Sequence, residues 1–259
     1  MAKLVWDETG KHFFETGIDQ GVLYDLDNSV TETAFTTASA LETYLAGNHK
    51  YSAGHAWNGL TAFNESPEGG DANDLYADNI KYLSLRGPED FNFTIEAYTY
   101  PDAFNKYNGE IYAGASGALA AVLMTNQGRP TWGFACRTKV GNDAKGSDYG
   151  YKLHLVYGVT CGPADRSYET INDSPDAISF SWDCDTVPVE VGTLNGVAYK
   201  PTAHIIVNVV NSDTADASIT ALETCLFGRD ASTTPSIAAV TPFLPLPSDV
   251  YKILSASYS

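Results

Sequence analysis

The stretch Phe91-Asn-Phe-Thr-Ile-Glu-Ala-Tyr98 places Phe91, Phe93, Ile95 and Ala97 on one side of an extended chain. Asn92, Thr94 and Glu96 fall on the other side. A second stretch, Ile178-Ser-Phe-Ser-Trp-Asp-Cys-Asp185, repeats the pattern, with Ile178, Phe180, Trp182 and Cys184 facing Ser179, Ser181, Asp183 and Asp185. Strict period-2 alternation is the mark of a β-strand with one buried face. Trp132–Val140, Tyr151–Val159 and the β-branched run Thr202–Val210 read the same way, and His12–Glu15, Val22–Leu26, His55–Phe63 and Ile80–Leu85 are weaker strands. Turn-forming breaks at Pro67–Asp71, Gly141–Asp143 and Asn172–Pro175 separate them. Many short strands spaced in this way predict a mainly β fold, an antiparallel sandwich or barrel.

One helix is expected after Asp213 or Thr214, which can cap it. Ile219, Leu222 and Leu226 share its apolar face, and Gly228 ends it. A shorter helix is expected near Ala38–Leu45, whereas Ala113–Met124, small and apolar, fits neither pattern. The stretch from Ala231 to Pro247 carries Pro235, Pro242, Pro245 and Pro247 and reads as extended and irregular. The chain shows no internal repeat and no linker, so residues 1–259 read as one domain with long loops or insertions near 27–48 and 106–127.

Composition narrows the function. The 259 residues hold 32 acidic and 15 basic side chains, a formal net charge of −17. Gripping nucleic acid requires clustered Lys and Arg, which are absent, and the same charge disfavours an anionic membrane surface. No apolar run reaches the length of a membrane span. The opening residues lack an apolar signal region, so folding in a cytoplasm is expected.

No catalytic constellation stands out. The nucleophile-elbow, zinc-protease and phosphate-loop patterns are missing. The five histidines, His12, His49, His55, His154 and His204, are scattered with none at i, i+4 from another, and His154 and His204, within strand patterns, read as ordinary sheet residues rather than bases. Glu65, Glu68, Asp71, Asp74 and Asp78 could in principle hold calcium. Their spacing is not that of an EF-hand, and a solvated acidic loop accounts for them better. Cys136, Cys161, Cys184 and Cys225 show no metal-ligand spacing and are expected as buried free thiols, with a disulfide the minority alternative. The chain therefore reads as a non-enzyme with no cofactor and no catalytic or metal residue.

Several collinear segments carry a resemblance. They are Trp6–Tyr24 (WDETGKHFFETGIDQGVLY), Ala56–Gly70, Leu75–Leu83, Glu96–Asp102, Gly133–Asp143, Tyr149–Tyr157, Tyr168–Pro175 and Leu244–Val250. Together they resemble the major tail, or tail-tube, proteins of long-tailed siphophages. Asp27–Asn48 and Lys106–Gln127 depart from that pattern. The resemblance implies a β-sandwich with one flanking helix and extended loops. It implies six copies per ring, rings stacked into a tube, and tape-measure and tail-terminator proteins as further partners. The chain would then be part of the virion, assembled in the host cytoplasm, and DNA would pass through the lumen without being bound. Asp27–Asn48 would be the loop that reaches the neighbouring ring. The acid excess suits a conduit, since a wall of DNA's own sign repels the duplex. A carbohydrate-binding sandwich using Trp57, Trp132 and Tyr98 is the alternative, and a two-carboxylate glycosidase ranks third.

Overall fold

The computed structural model describes residues 4–168, 170, 177–210, 216–233 and 236–258. The break at Asn172–Pro175 and the caps expected at Asp213 and Thr214 lie outside them. The principal strands are β1 (Phe13–Leu26), β2 (Tyr51–Trp57), β3 (Leu60–Glu65), β4 (Ala72–Ala77), β5 (Ile80–Arg86), β6 (Phe93–Ala97) and β7 (Trp132–Asn142). They continue with β8 (Gly146–Cys161), β9 (Phe180–Thr186), β10 (Gly192–Leu194), β11 (Val197–Tyr199) and β12 (His204–Val210). Among the described residues three α-helices accompany them, α1 (Leu41–Leu45), α2 (Ala217–Phe227) and α3 (Pro247–Ser255).

The main sheet is antiparallel and runs β2-β1-β7-β8-β9-β6-β3, with β12 also paired to β8. Strand β8 is the pivot. Its residues Gly150–Val156 pair with β12, whereas Val159–Cys161 pair with β9. The switch falls at Gly158, whose φ is 63°. A Cβ there would lie 2.1 Å from the Val187 carbonyl oxygen, so only glycine fits. Past this bend, β9, β6 and β3 curl over β1, β7 and β8 to form a sandwich rather than a closed barrel.

Alternation then builds two cores on opposite faces of the central strands. Leu23, Trp132, Phe134, Cys136 and Val156 face inward against Phe93, Ile95, Ala97, Trp182 and Cys184. Val22, Tyr24, Ala135, Leu153, Leu155 and Tyr157 face the helices, meeting Ile219, Leu222 and Leu226 of α2 and Val250 and Ile253 of α3. Strands buried on both faces show continuous apolar runs such as Val22-Leu23-Tyr24. The helix layer is also tied by hydrogen bonds. The Tyr24 hydroxyl donates to the Leu226 carbonyl at 2.7 Å, and the Tyr157 hydroxyl to that of Pro245 at 2.8 Å.

The mainly β, antiparallel sandwich matches the expectation, with differences of detail. His12–Glu15 and Val22–Leu26 belong to one long strand. Gly17 and Gln20, both at positive φ, break its alternation by shifting the register against β7. His55–Phe63 is instead two strands around a turn at Asn58-Gly59. Ile178 lies outside the strand and is 37% exposed, so the inward set of β9 is Trp182 and Cys184 with Phe180 half-buried. Helix α2 is capped by Asp216, which accepts from the Ser218 amide at 2.7 Å. It ends at Gly228, as the sequence predicts. A second flanking helix, α3, follows directly on the proline-rich stretch, with Pro247 in its first turn.

The cysteines require a correction. Cys136 and Cys225 are free and buried, but Cys161 and Cys184 form a disulfide. The β8–β9 register sets these two residues directly opposite each other, with Cα atoms 4.2 Å apart. Their separation of 23 residues carries no hint of this, because register is a property of the folded sheet. Purified protein unfolded without reductant should therefore react with a thiol reagent at Cys136 and Cys225 only. Modification of all four by mass spectrometry would show that the bond does not form.

Candidate functional site

Residues 67–90, between β3 and β6, leave the sandwich. Glu68–Gly69 pairs with Glu89–Asp90, and beyond them β4 and β5 form a hairpin arm closed by Asp78 and Asn79. Both turn residues have positive φ, 51° and 64°, the conformation that matches the twist of a two-residue hairpin. Asp74 braces the arm, taking a hydrogen bond from Ser84 at 2.6 Å and an ion pair from Lys81 at 2.7 Å. These two contacts hold the Asp74 carboxyl below the usual carboxylate range.

The arm's exposed side chains are nevertheless large and apolar. Tyr76, Ile80 and Tyr82 are 70%, 65% and 73% exposed, and Leu75, Leu83 and Leu85 are exposed beside them. A two-stranded hairpin on its own is marginal in water, and contiguous apolar patches on a soluble surface mark interaction sites. Chemically, the arm is a ready surface for another chain.

Two further features suit contact between chains. Of Lys106–Gln127, Tyr107, Asn108 and Glu110 are buried at the sandwich core, and residues 111–127 form a second projection, built from a short hairpin (Ile111–Tyr112 with Leu123–Met124) around a 3-10 turn at Gly117–Ala121. Ile111, Tyr112, Leu119, Val122 and Met124 are exposed on it. Strand β12 pairs only with β8 among the described residues, leaving its outer edge open. Beside this edge lies an apolar cleft of about 500 Å³ that includes Tyr199, Ile206, Tyr251 and Leu254. By contrast, the outer edge of β2 is covered, with Gly54 donating to Pro242 at 3.0 Å and Leu244 donating to Tyr51 at 2.9 Å.

Asp27–Asn48 does not project. Phe35, Tyr44 and Leu45 are buried in the helix-side core, and the guanidinium of Arg229 chelates the Glu42 carboxylate at 2.7 and 3.0 Å. Its polar surface hides three apolar anchors, so the stretch folds back on its own subunit. The projecting elements are residues 67–90 and 111–127, the first of which reads in the sequence as a turn-rich break and a weak strand.

The acidic loop is likewise resolved. Glu65 ends β3, Glu68 and Asp74 sit in arm strands and Asp78 is at the arm's tip, so these carboxylates are strung along the arm rather than gathered. Trp57 and Trp132 are fully enclosed in the sandwich core and present no face to a sugar, whereas Tyr98 is exposed.

The fold brings together residues that the sequence left apart. Strand pairing sets His154 opposite Ile206, which makes His204 its diagonal neighbour on the same sheet face. Nδ1 of His154 lies 3.2 Å from Nε2 of His204 and 3.4 Å from a carboxylate oxygen of Glu65. Burial is the first cause in all three groups. It pushes His154 down to about 4 and His204 to about 3, with the Lys152 ammonium adding to the shift of His154, and it raises Glu65 above the usual carboxylate range. Among the described residues, this is the single group of three such side chains close enough to share a metal ion. The remaining three histidines lie elsewhere, His49 against Glu32, His12 against Asp143 and His55 in β2.

No protein-family model matches the chain, and no curated protein matches it. Among solved structures, it is similar to a chain of the cryo-EM structure of the anti-feeding prophage (AFP) baseplate, 6-fold symmetrised. The TM-score is 0.31 at 6% identity, over 80% of this chain and 97% of that one. No helix among the described residues is long and apolar enough to cross a membrane.

Proposed function

We propose that the chain is a structural subunit of a phage tail, the building block of a tail tube, which associates with further copies of itself through its hairpin arm. The observation that carries this reading is the arm, whose large apolar side chains stand exposed among the described residues. An open edge at β12 and the second apolar projection add lateral surfaces. A contact between two different patches repeats from copy to copy, and it gives rings when the rotation closes and filaments when it does not. The collinear resemblance to siphophage tail-tube proteins selects stacked rings of six, and the net charge of −17 suits a lumen wall that does not adhere to DNA.

Negative-stain microscopy and sedimentation velocity of the purified chain, across a range of concentrations, test this reading. Rings or tubes of uniform width that lengthen with concentration are the expected result. A monomer that persists at the highest concentration, with the protein missing from purified virions, would refute it.

A further inference from the structure

We propose that Glu65, His154 and His204 form a binding site for one divalent transition-metal ion of the zinc class, placed where the arm joins the sandwich. This inference stands on the cluster's own geometry and does not depend on the tail-tube reading.

Two imidazoles and one carboxylate are the donor set that zinc and its first-row neighbours take. The distances fit as well. Metal–ligand bonds of about 2.0–2.2 Å at tetrahedral angles put neighbouring donor atoms roughly 3.3–3.5 Å apart. The separations of 3.2 Å between the two histidines and 3.4 Å between His154 and Glu65 are close to that edge length, and all three donor atoms lie within 4.8 Å of one another. With the His154 proton on Nε2 and given to Thr138, a hydrogen bond from His204 explains the first separation but not the approach of the carboxylate to the same unprotonated nitrogen.

The surroundings are those of a built site. Nε2 of His154 lies 2.9 Å from the Thr138 hydroxyl. With Nε2–H donating to that oxygen, the Nδ1 lone pair faces Glu65 and His204, which is the outer-shell arrangement that fixes a ligand imidazole. The rings of Phe63 and Phe91 close over the pair, with Phe91 stacked on His204 at a centroid distance of 4.4 Å. Lys152, the cation nearest the site, is ion-paired to Glu15.

The placement gives the ion a consequence. Glu65 is the last residue of β3, where the chain departs into the arm, and Phe91 stands where it returns. His154 and His204 belong to β8 and β12. A bound ion would therefore clamp the outgoing stem of the arm to the main sheet, while Phe91 holds the returning stem against a ligand ring.

Cobalt(II) serves as a visible probe. The full chain, stripped with a chelator and dialysed, is titrated with cobalt chloride while its d–d absorption is followed. One equivalent per chain should give saturable visible bands, displaced by zinc, and zinc at about 100 times its Kd should raise the melting temperature by several degrees. Glu65→Gln, which keeps shape at a partly exposed position, should weaken cobalt binding by at least about 10-fold, the loss seen even for outer-shell partners. His204→Ala should abolish the bands, and His12→Ala should leave them unchanged. Absence of saturable bands, or equal bands in wild type and Glu65→Gln, would overturn the assignment and leave a hydrogen-bonded histidine pair.

Discussion

Replacing Tyr76, Ile80 and Tyr82 together by serine is expected to abolish assembly while leaving the subunit folded. The three side chains lie on the arm and are largely exposed, so they contribute little to the stability of the isolated chain. Surface substitutions of this kind usually shift stability by less than about 0.5 kcal/mol each. The melting temperature of the triple variant should accordingly stay within about 5 °C of the parent. At an interface the same residues behave differently. Truncating a buried aromatic anchor typically costs about 2 kcal/mol or more, close to 30-fold in association. Three such losses should raise the concentration needed for rings or tubes more than about 1000-fold. Sedimentation velocity on parent and variant, checked by circular dichroism, reads both quantities. Tubes of normal length from the variant at the parent's concentration would remove the arm from the contact.

What the sequence could reveal here depended on whether a feature is local. The alternation of Phe93–Ala97 and Phe180–Thr186 survives into the structure because each strand buries one face against the sandwich core. Helix α2 was legible from its apolar spacing and from Gly228. Helix α3 was not, since its nine residues begin at the last proline of a stretch that reads as irregular. The arm shows a different limit. Ile80–Leu85 has strand character, but no pattern within it says whether the strand packs or projects. In Asp27–Asn48 the reverse holds, where a polar surface conceals Phe35, Tyr44 and Leu45.

Features that join distant residues were out of reach. The disulfide depends on the β8–β9 register, and the histidine cluster depends on the β8–β12 register together with the curl that brings β3 over the central strands. His154 and His204 were read as sheet residues, and both are. Their juxtaposition with Glu65 exists only once three separate strands are in place. A search for i, i+4 ligand pairs suits helices and misses sites assembled across a sheet.

The largest loss of stability should follow Trp182→Ala. Trp182 is fully buried and stands edge-on to Trp57, Phe104 and Tyr100, with ring centroids 5.6, 5.0 and 5.4 Å away. Its indole N–H donates to the Asn108 side-chain oxygen at 3.2 Å. Truncating a buried tryptophan costs about 3–5 kcal/mol through lost transfer energy and the cavity left behind. For a chain of this size that is a fall of roughly 6–20 °C in melting temperature. Trp182→Phe keeps much of the volume but drops the hydrogen bond, and should cost about 1–3 kcal/mol. Denaturant unfolding of the two variants separates packing from hydrogen bonding. The position also matters for function, because β9 joins the central strands to β6 and β3, and the arm springs from those two. Loosening that layer should release the base of the arm, so Trp182→Ala should weaken assembly even at temperatures where it remains folded. A cost below about 1 kcal/mol for Trp182→Ala would mean that the two layers of the sandwich are not coupled through this cluster, and the arm would then need some other anchor.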